Sequence, residues 1–125
     1  CGSAFAMEMN GDVYNCDHFV YPQYKLGNIQ HTTVRAMNNS EQNRQFGNDK
    51  SRTMAQECYS CQWRFACNGG CPKHRFLPSV SGVSNQNFLC AGYQLFFSHT
   101  ALAMGAMKTL YENNISPAEI KTIFV

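Results

Sequence analysis

The apolar and polar positions predict a run of short elements followed by one long one. Residues 4–9, apolar but for Glu8, predict a strand. Asn10-Gly11 comes next and is the strongest short-range hairpin signal, because glycine tolerates the positive φ that a type I′ turn needs. Residues 13–20 supply the return strand, so the hairpin carries Cys16 back toward Cys1. Tyr21-Pro22 ends that strand, and Gly27-Asn28 marks a further loop. Residues 33–38 predict a short helix. Ser40 is placed as an N-cap, with Glu41 in the first turn, where the helix dipole favours an anion. Residues 40–54 are polar with few apolar anchors and predict a solvated outer helix and loop. Pro78, Gly82 and several Ser and Asn residues make residues 75–88 a loop. In residues 91–114, opened by Cys90, the positions Leu95, Phe96, His99, Leu102, Ala103, Ala106, Met107 and Leu110 recur at helical spacing. That stripe reads as core or docking surface. Ser116-Pro117 starts a last short helix, with Ser as N-cap, Pro at the first helical position, and Ile120, Ile123 and Phe124 on one face.

Together these elements predict a small, irregular α+β domain. It has an N-terminal β-hairpin, cysteine-rich loops and helices, and a long C-terminal helix. At 125 residues the chain is expected to form a single domain, 1–125. No internal repeat is visible. Charged residues are only 14% and the net charge is +2, which argues against a nucleic-acid binder working by broad charge neutralisation. The best membrane-span candidate, residues 93–110, is interrupted by Gln94, Ser98, His99 and Lys108. No membrane partner is therefore expected. A domain this small gains from a metal staple.

The cysteines change the picture most. There are seven, Cys1, Cys16, Cys58, Cys61, Cys67, Cys71 and Cys90, an odd number that disulfides alone cannot pair. The middle four read C-x2-C-x5-C-x3-C. A C-x2-C pair lets two sulfurs share one metal centre, and soft thiolates serve zinc and iron–sulfur clusters alike. Gly69-Gly70 breaks the helical path between Cys67 and Cys71, so those two sulfurs are free to serve different centres. Cys90 opens a helix, where free N–H groups stabilise a thiolate. The sequence begins at Cys1 with no initiator methionine and no signal peptide. It reads as part of a longer protein, with an eighth cysteine upstream.

The full pattern is Cys1, Gly11, Cys16, Cys58, Cys61, Cys67, Cys71 and Cys90. It resembles the SPASM domain, the C-terminal extension of radical S-adenosylmethionine enzymes that modify peptides and proteins. The strings from Gly11 to Pro22, Tyr24 to Ile29, Cys67 to Phe76 and Leu89 to Phe97 are similar to the anaerobic sulfatase-maturating enzymes among them. That resemblance implies two auxiliary [4Fe–4S] clusters. Cys58, Cys61, Cys67 and Cys90 would hold one, and Cys1, Cys16 and Cys71 three corners of the other. The fourth corner would come from upstream of Cys1. It further implies oxidation of a sulfatase Cys or Ser to Cα-formylglycine, electron transfer through the clusters to an acceptor, and a cytoplasmic location. Asp17, directly after the second cysteine, would be the base. The radical-generating C-x3-C-x2-C motif is absent, so S-adenosylmethionine and a third cluster would sit in an upstream radical domain, and these 125 residues should be inactive alone.

Two other classes remain open from sequence. One is another SPASM-bearing peptide maturase. The other is a zinc-binding structural or interaction module, and zinc is an expected occupant of the isolated domain. Lys73, His74 and Arg75 form a basic run that reads as solvated surface, with contact to a peptide or charge balance for a cluster as its functional reading. His18 lies beside the site through Asp17, yet with His31 and His99 it reads as structural. Trp63, Phe65 and Phe76 read as a shield against water.

Overall fold

The computed structural model describes residues 1–123 and is α+β. It divides into two compact units, Cys1–Phe88 and Leu89–Val125. Phe124, expected on the last helix, lies outside the described residues.

The first unit opens with a three-stranded antiparallel sheet in the order β1 (Ala6–Met7), β2 (Asp12–Tyr14), β3 (Lys25–Asn28). The β1–β2 hairpin is present, but its turn differs from the type I′ expectation. Gly11 N–H donates to Glu8 O at 2.9 Å, and Glu8 N–H to Asp12 O at 2.9 Å. Only Gly11, at φ 86°, is left-handed, so the loop is the three residues Met9-Asn10-Gly11, a turn closed by a glycine bulge. β2 is also shorter than the predicted strand. After Asn15 and Cys16 the chain winds into a single 3-10 turn, Asp17–Phe19. β3 replaces the loop expected at Gly27-Asn28. Its partner Asp12 accepts from Asn28 Nδ2 at 2.9 Å and pairs with Lys25 Nζ at 2.6 Å, which pins the register.

Helix α1 (Val34–Asn38) lies within the predicted 33–38, and α2 (Glu41–Arg52) starts at the predicted cap Ser40. Thr33 Oγ1 accepts from Ala36 N–H, and Ser40 Oγ from Asn43 N–H. Short helices α3 (Gln56–Tyr59) and α4 (Arg64–Cys67) follow. The stretch read as a loop, 75–88, is instead a second antiparallel hairpin, β4 (Arg75–Pro78) with β5 (Ser84–Asn87). Its Pro and Gly mark the turn rather than the whole segment. Ser79 N–H bonds Val83 O and Gly82, at φ 78°, bonds back to Ser79 O, both at 2.9 Å. β5 is polar throughout, and its Asn85 and Asn87 side chains tie the sheet to carbonyls of Met54, Gly69 and Cys71. The buried apolar core of this unit is small: Val13, Tyr14, Met37, Met54 and Ala55.

The second unit is α5 (Cys90–Glu112) packed with the 3-10 turn Pro117–Thr122. Asn114, at φ 60°, ends α5, and Ile115 N–H closes it on Leu110 O at 2.9 Å. Ser116 caps the last turn, as expected. The stripe predicted for α5 is only half right. Ala103, Ala106, Met107 and Leu110 are half-buried, whereas Leu95, Phe96, His99 and Leu102 are exposed.

Candidate metal centre

Cys16 and Cys71 are held close by two different devices. The first is a buried amide. Asn43, on the inner face of α2, donates from Nδ2 to Gly2 O at 2.8 Å and to Asn38 O at 3.0 Å. Its Oδ1 accepts from Asn15 Nδ2 at 3.0 Å. Gly2 follows Cys1 and Asn15 precedes Cys16, so one side chain gathers the chain beside both cysteines. Asn15 and Asn43 are both buried. Satisfying Asn43 fully offsets the cost of burying it, which is why a polar side chain sits on a face read as solvated.

The second device is a cationic clasp on the C-x3-C loop. α4 ends at Cys67, and Asn68, Gly69 and Gly70 run consecutively left-handed at φ 45°, 71° and 61°. The glycine break expected between Cys67 and Cys71 is therefore real, and it turns four backbone carbonyls inward. Arg75 collects three of them: Nε bonds Gly69 O at 3.0 Å, and Nη2 bonds Asn68 O and Gly70 O at 3.2 Å each. Its Nη1 reaches Thr53 Oγ1 at 3.2 Å. Lys50 Nζ adds Gly70 O at 2.9 Å. Asn87, from the unforeseen hairpin, bonds Gly69 O at 3.4 Å and Cys71 O at 3.3 Å.

Arg75 belongs to a run that reads as solvated surface, yet it is only 8% exposed. Burial pulls its pKa down, while nearby Cys58, Cys71 and Cys67 pull it up. Lys50 is likewise pulled down by burial and by Arg75, and up by Cys71 and Cys67. Two cations thus face three of the four sulfurs in the C-x2-C-x5-C-x3-C run. Arg75→Met should cost about 2–3 kcal/mol, because it leaves buried carbonyls without donors. Urea unfolding measures this, and a loss below about 0.5 kcal/mol would mean that the clasp is idle.

Around Cys16 the donors crowd. Cys16 Sγ bonds Asp17 Oδ1 at 3.1 Å, and His18 Nδ1 lies 3.3 Å from Cys71 Sγ. Burial pushes the Cys16 thiol up, with the Asp17 hydrogen bond and the neighbouring Cys71 adding to it. Asp17 is held below the usual carboxylate range, first by the Cys16 hydrogen bond and then by His18. Lys73, from the basic run, lies 5.5 Å from the Phe19 ring centre and 4.1 Å from that of Tyr21, and bonds the Tyr21 hydroxyl. Phe65 and Phe76, expected as shields, are 84% and 56% exposed. Phe76 stacks on Phe88 at 5.1 Å instead. Soft thiols lined by two cations fit an anionic metal–sulfur group.

Comparison with known proteins agrees with this chemistry. Residues 1–62 match the SPASM family, an iron–sulfur cluster-binding domain. A serine-type anaerobic sulfatase-maturating enzyme of Bacteroides thetaiotaomicron is 48% identical over 120 residues, 96% of this chain and 29% of that protein. A cysteine-type enzyme of Clostridium perfringens is 32% identical over 99 residues, 79% of this chain and 26% of that protein. The solved structure of anSMEcpe with bound AdoMet and Kp18Cys peptide has a TM-score of 0.66 and 31% identity, covering 87% of this chain and 28% of that one. The chain thus spans under a third of the length of these relatives.

Proposed function

From the premise that this chain resembles the SPASM iron–sulfur domain of the anaerobic sulfatase-maturating enzymes, we propose that it is the auxiliary-cluster domain of such an enzyme. Within residues 1–125 we read one functional domain. Cys58, Cys61, Cys67 and Cys90 are the proposed ligands of one [4Fe–4S] cluster, the last by the sequence pattern. Cys1, Cys16 and Cys71 are those of a second, whose fourth ligand lies outside these residues. Clusters of this kind carry single electrons. The radical chemistry, S-adenosylmethionine and a third cluster belong to the remainder of the enzyme. Its proposed substrate is a sulfatase Cys or Ser, oxidised to Cα-formylglycine, with a separate electron acceptor. Among the described residues no helix is long and apolar enough to cross a membrane, and we place the enzyme in the cytoplasm.

The observation that supports this reading best is the left-handed run at residues 68–70. It separates Cys71, beside His18 and Cys16, from Cys67 at the end of α4. Asp17 is the proposed base. It is exposed at the first position of its 3-10 turn, and its Oδ1 is within hydrogen-bond reach of a neighbouring thiol.

The test is anaerobic reconstitution with iron and sulfide. The chain is expected to develop visible iron–sulfur absorption, and Cys61→Ala to lose the fraction held by the proposed four-cysteine set. Zinc uptake with no such absorption would sink the electron-transfer reading.

A further inference from the structure

We propose that Lys50 is a potential-setting residue: its charge, held where the Cys67 ligand set meets the Cys71 set, raises the reduction potentials of both auxiliary clusters. The inference rests on the reading of those two cysteines as ligands of separate clusters. It adds a residue of α2 that the cysteine pattern does not include.

Three observations carry it. First, Lys50 reaches the peptide that joins the two sets. Its Nζ donates to Gly70 O at 2.9 Å, from 20 residues away in the chain. That carbonyl belongs to the amide leading into Cys71, and Gly70 N–H bonds Cys67 O at 2.9 Å. An ammonium on this peptide therefore stands beside both ligand residues.

Second, Gly70 O does not need Lys50. Arg75 Nη2 already donates to the same oxygen at 3.2 Å. Two cations on one carbonyl repel each other, and a neutral carbonyl balances neither. The last turn of α2 favours a cation through the helix dipole, but the exposed Arg52 meets that preference without being buried. Neither the hydrogen bond nor the helix end explains why a lysine is turned inward here.

Third, no acid answers the charge. Lys50 is half-buried, and among the described residues no carboxylate lies in ion-pair range of it. Its neighbour Asp49 accepts from Gln45 Nε2 at 2.6 Å instead. A cation drawn out of water without a counter-ion is costly. Burial and Arg75 work against its charged form, and Cys71 and Cys67 are the groups that work for it. The placement therefore suits an anionic metal–sulfur group held by those cysteines. A fixed positive charge beside such a group favours its reduced form, which carries one more negative charge, over its oxidised form. That raises the potential.

The test uses the full-length enzyme with the cysteines of its radical-generating motif changed to alanine, so that only the auxiliary clusters are read. Each protein is reconstituted anaerobically, assayed for iron, and titrated with a reductant while the reduced clusters are followed by electron paramagnetic resonance. Lys50→Met and Lys50→Gln are expected to keep their iron and to lower both potentials. At a fixed poise the ratio of reduced to oxidised cluster should fall roughly tenfold, which is about 59 mV for one electron. Lys50→Arg keeps the charge and is expected to titrate like the wild type. Gln retains an N–H for Gly70 O, so a role confined to that hydrogen bond would leave Lys50→Gln unchanged. Unmoved potentials in both neutral variants would overturn the proposal, as would an equal fall in Lys50→Arg. A shift confined to one cluster would overturn the shared position. Loss of iron from both neutral variants would make Lys50 a structural contact instead. Wild type with no auxiliary cluster would remove the underlying reading as well, whereas intact clusters with unmoved potentials remove this inference alone.

Discussion

Asp17→Asn in the full-length enzyme is expected to cut formylglycine yield by about a hundredfold or more, the usual worth of a positioned base, while cleavage of S-adenosylmethionine continues. The variant keeps the size and the hydrogen-bonding capacity of the side chain and removes only its ability to take a proton. Asp17 is suited to that task by its exposure on the 3-10 turn. In the metal-free chain its pKa is lowered, first by the Cys16 thiol and then by His18, so the carboxylate there is in its proton-accepting form at neutral pH. The side chain is exposed, so folding should be unaffected. Mass spectrometry of the substrate peptide, run beside quantification of 5′-deoxyadenosine, separates the two outcomes. Unchanged formylglycine yield would remove Asp17 from the mechanism. Parallel loss of both products would point to damage elsewhere.

Gly69→Val should destabilise the first unit by about 4 kcal/mol, from backbone strain and overpacking together. Gly69 is buried at φ 71°, where a β-branched residue is an outlier. A Cβ there would sit 2.8 Å from both Arg75 Nη2 and Met54 Cγ. Neither neighbour can retreat cheaply. Arg75 is bonded to three carbonyls of the same loop, and Met54 is 3% exposed in a small core. Gly82→Ala is the matched control. Gly82 has φ 78°, but open space lies around the new methyl, so only the strain of about 1 kcal/mol remains. Denaturant midpoints under reducing, anaerobic conditions measure both. Equal shifts for the two variants would mean that packing around Gly69 contributes nothing.

The sequence exposed what local pattern encodes. Ser40 as a cap, Ser116-Pro117 as a helix start, Asn10-Gly11 as a hairpin and the long α5 all follow from residues a few positions apart. The cysteine spacing and the Gly69-Gly70 break were equally visible. The β4–β5 hairpin was not, because β5 is polar throughout and the Pro, Gly and Ser residues before it resemble any loop. Its contribution lies in Asn85 and Asn87, which bond Met54 O and the carbonyls of Gly69 and Cys71. Asn43 was hidden for the same reason. Its partners Asn15 and Gly2 are far away in sequence, and a buried asparagine on a polar helix has no periodic signature. Arg75 looked like one more charge in a basic run. Only the carbonyls turned inward by three left-handed residues give it a reason to be buried. The seven cysteines were legible. The polar frame that aims Cys16 and Cys71 was not.

The first hairpin has a practical side. Met9 stands fully exposed at the tip of its three-residue loop. Register below the tip is fixed twice, by Glu8 N–H on Asp12 O and by the Asp12–Lys25 pair. Residues added between Met9 and Asn10 would lengthen the tip without shifting Cys16 relative to β1. That makes the loop a natural place for an affinity peptide or a spectroscopic label, carried on the same hairpin as Cys16 yet outside the fold that aims it.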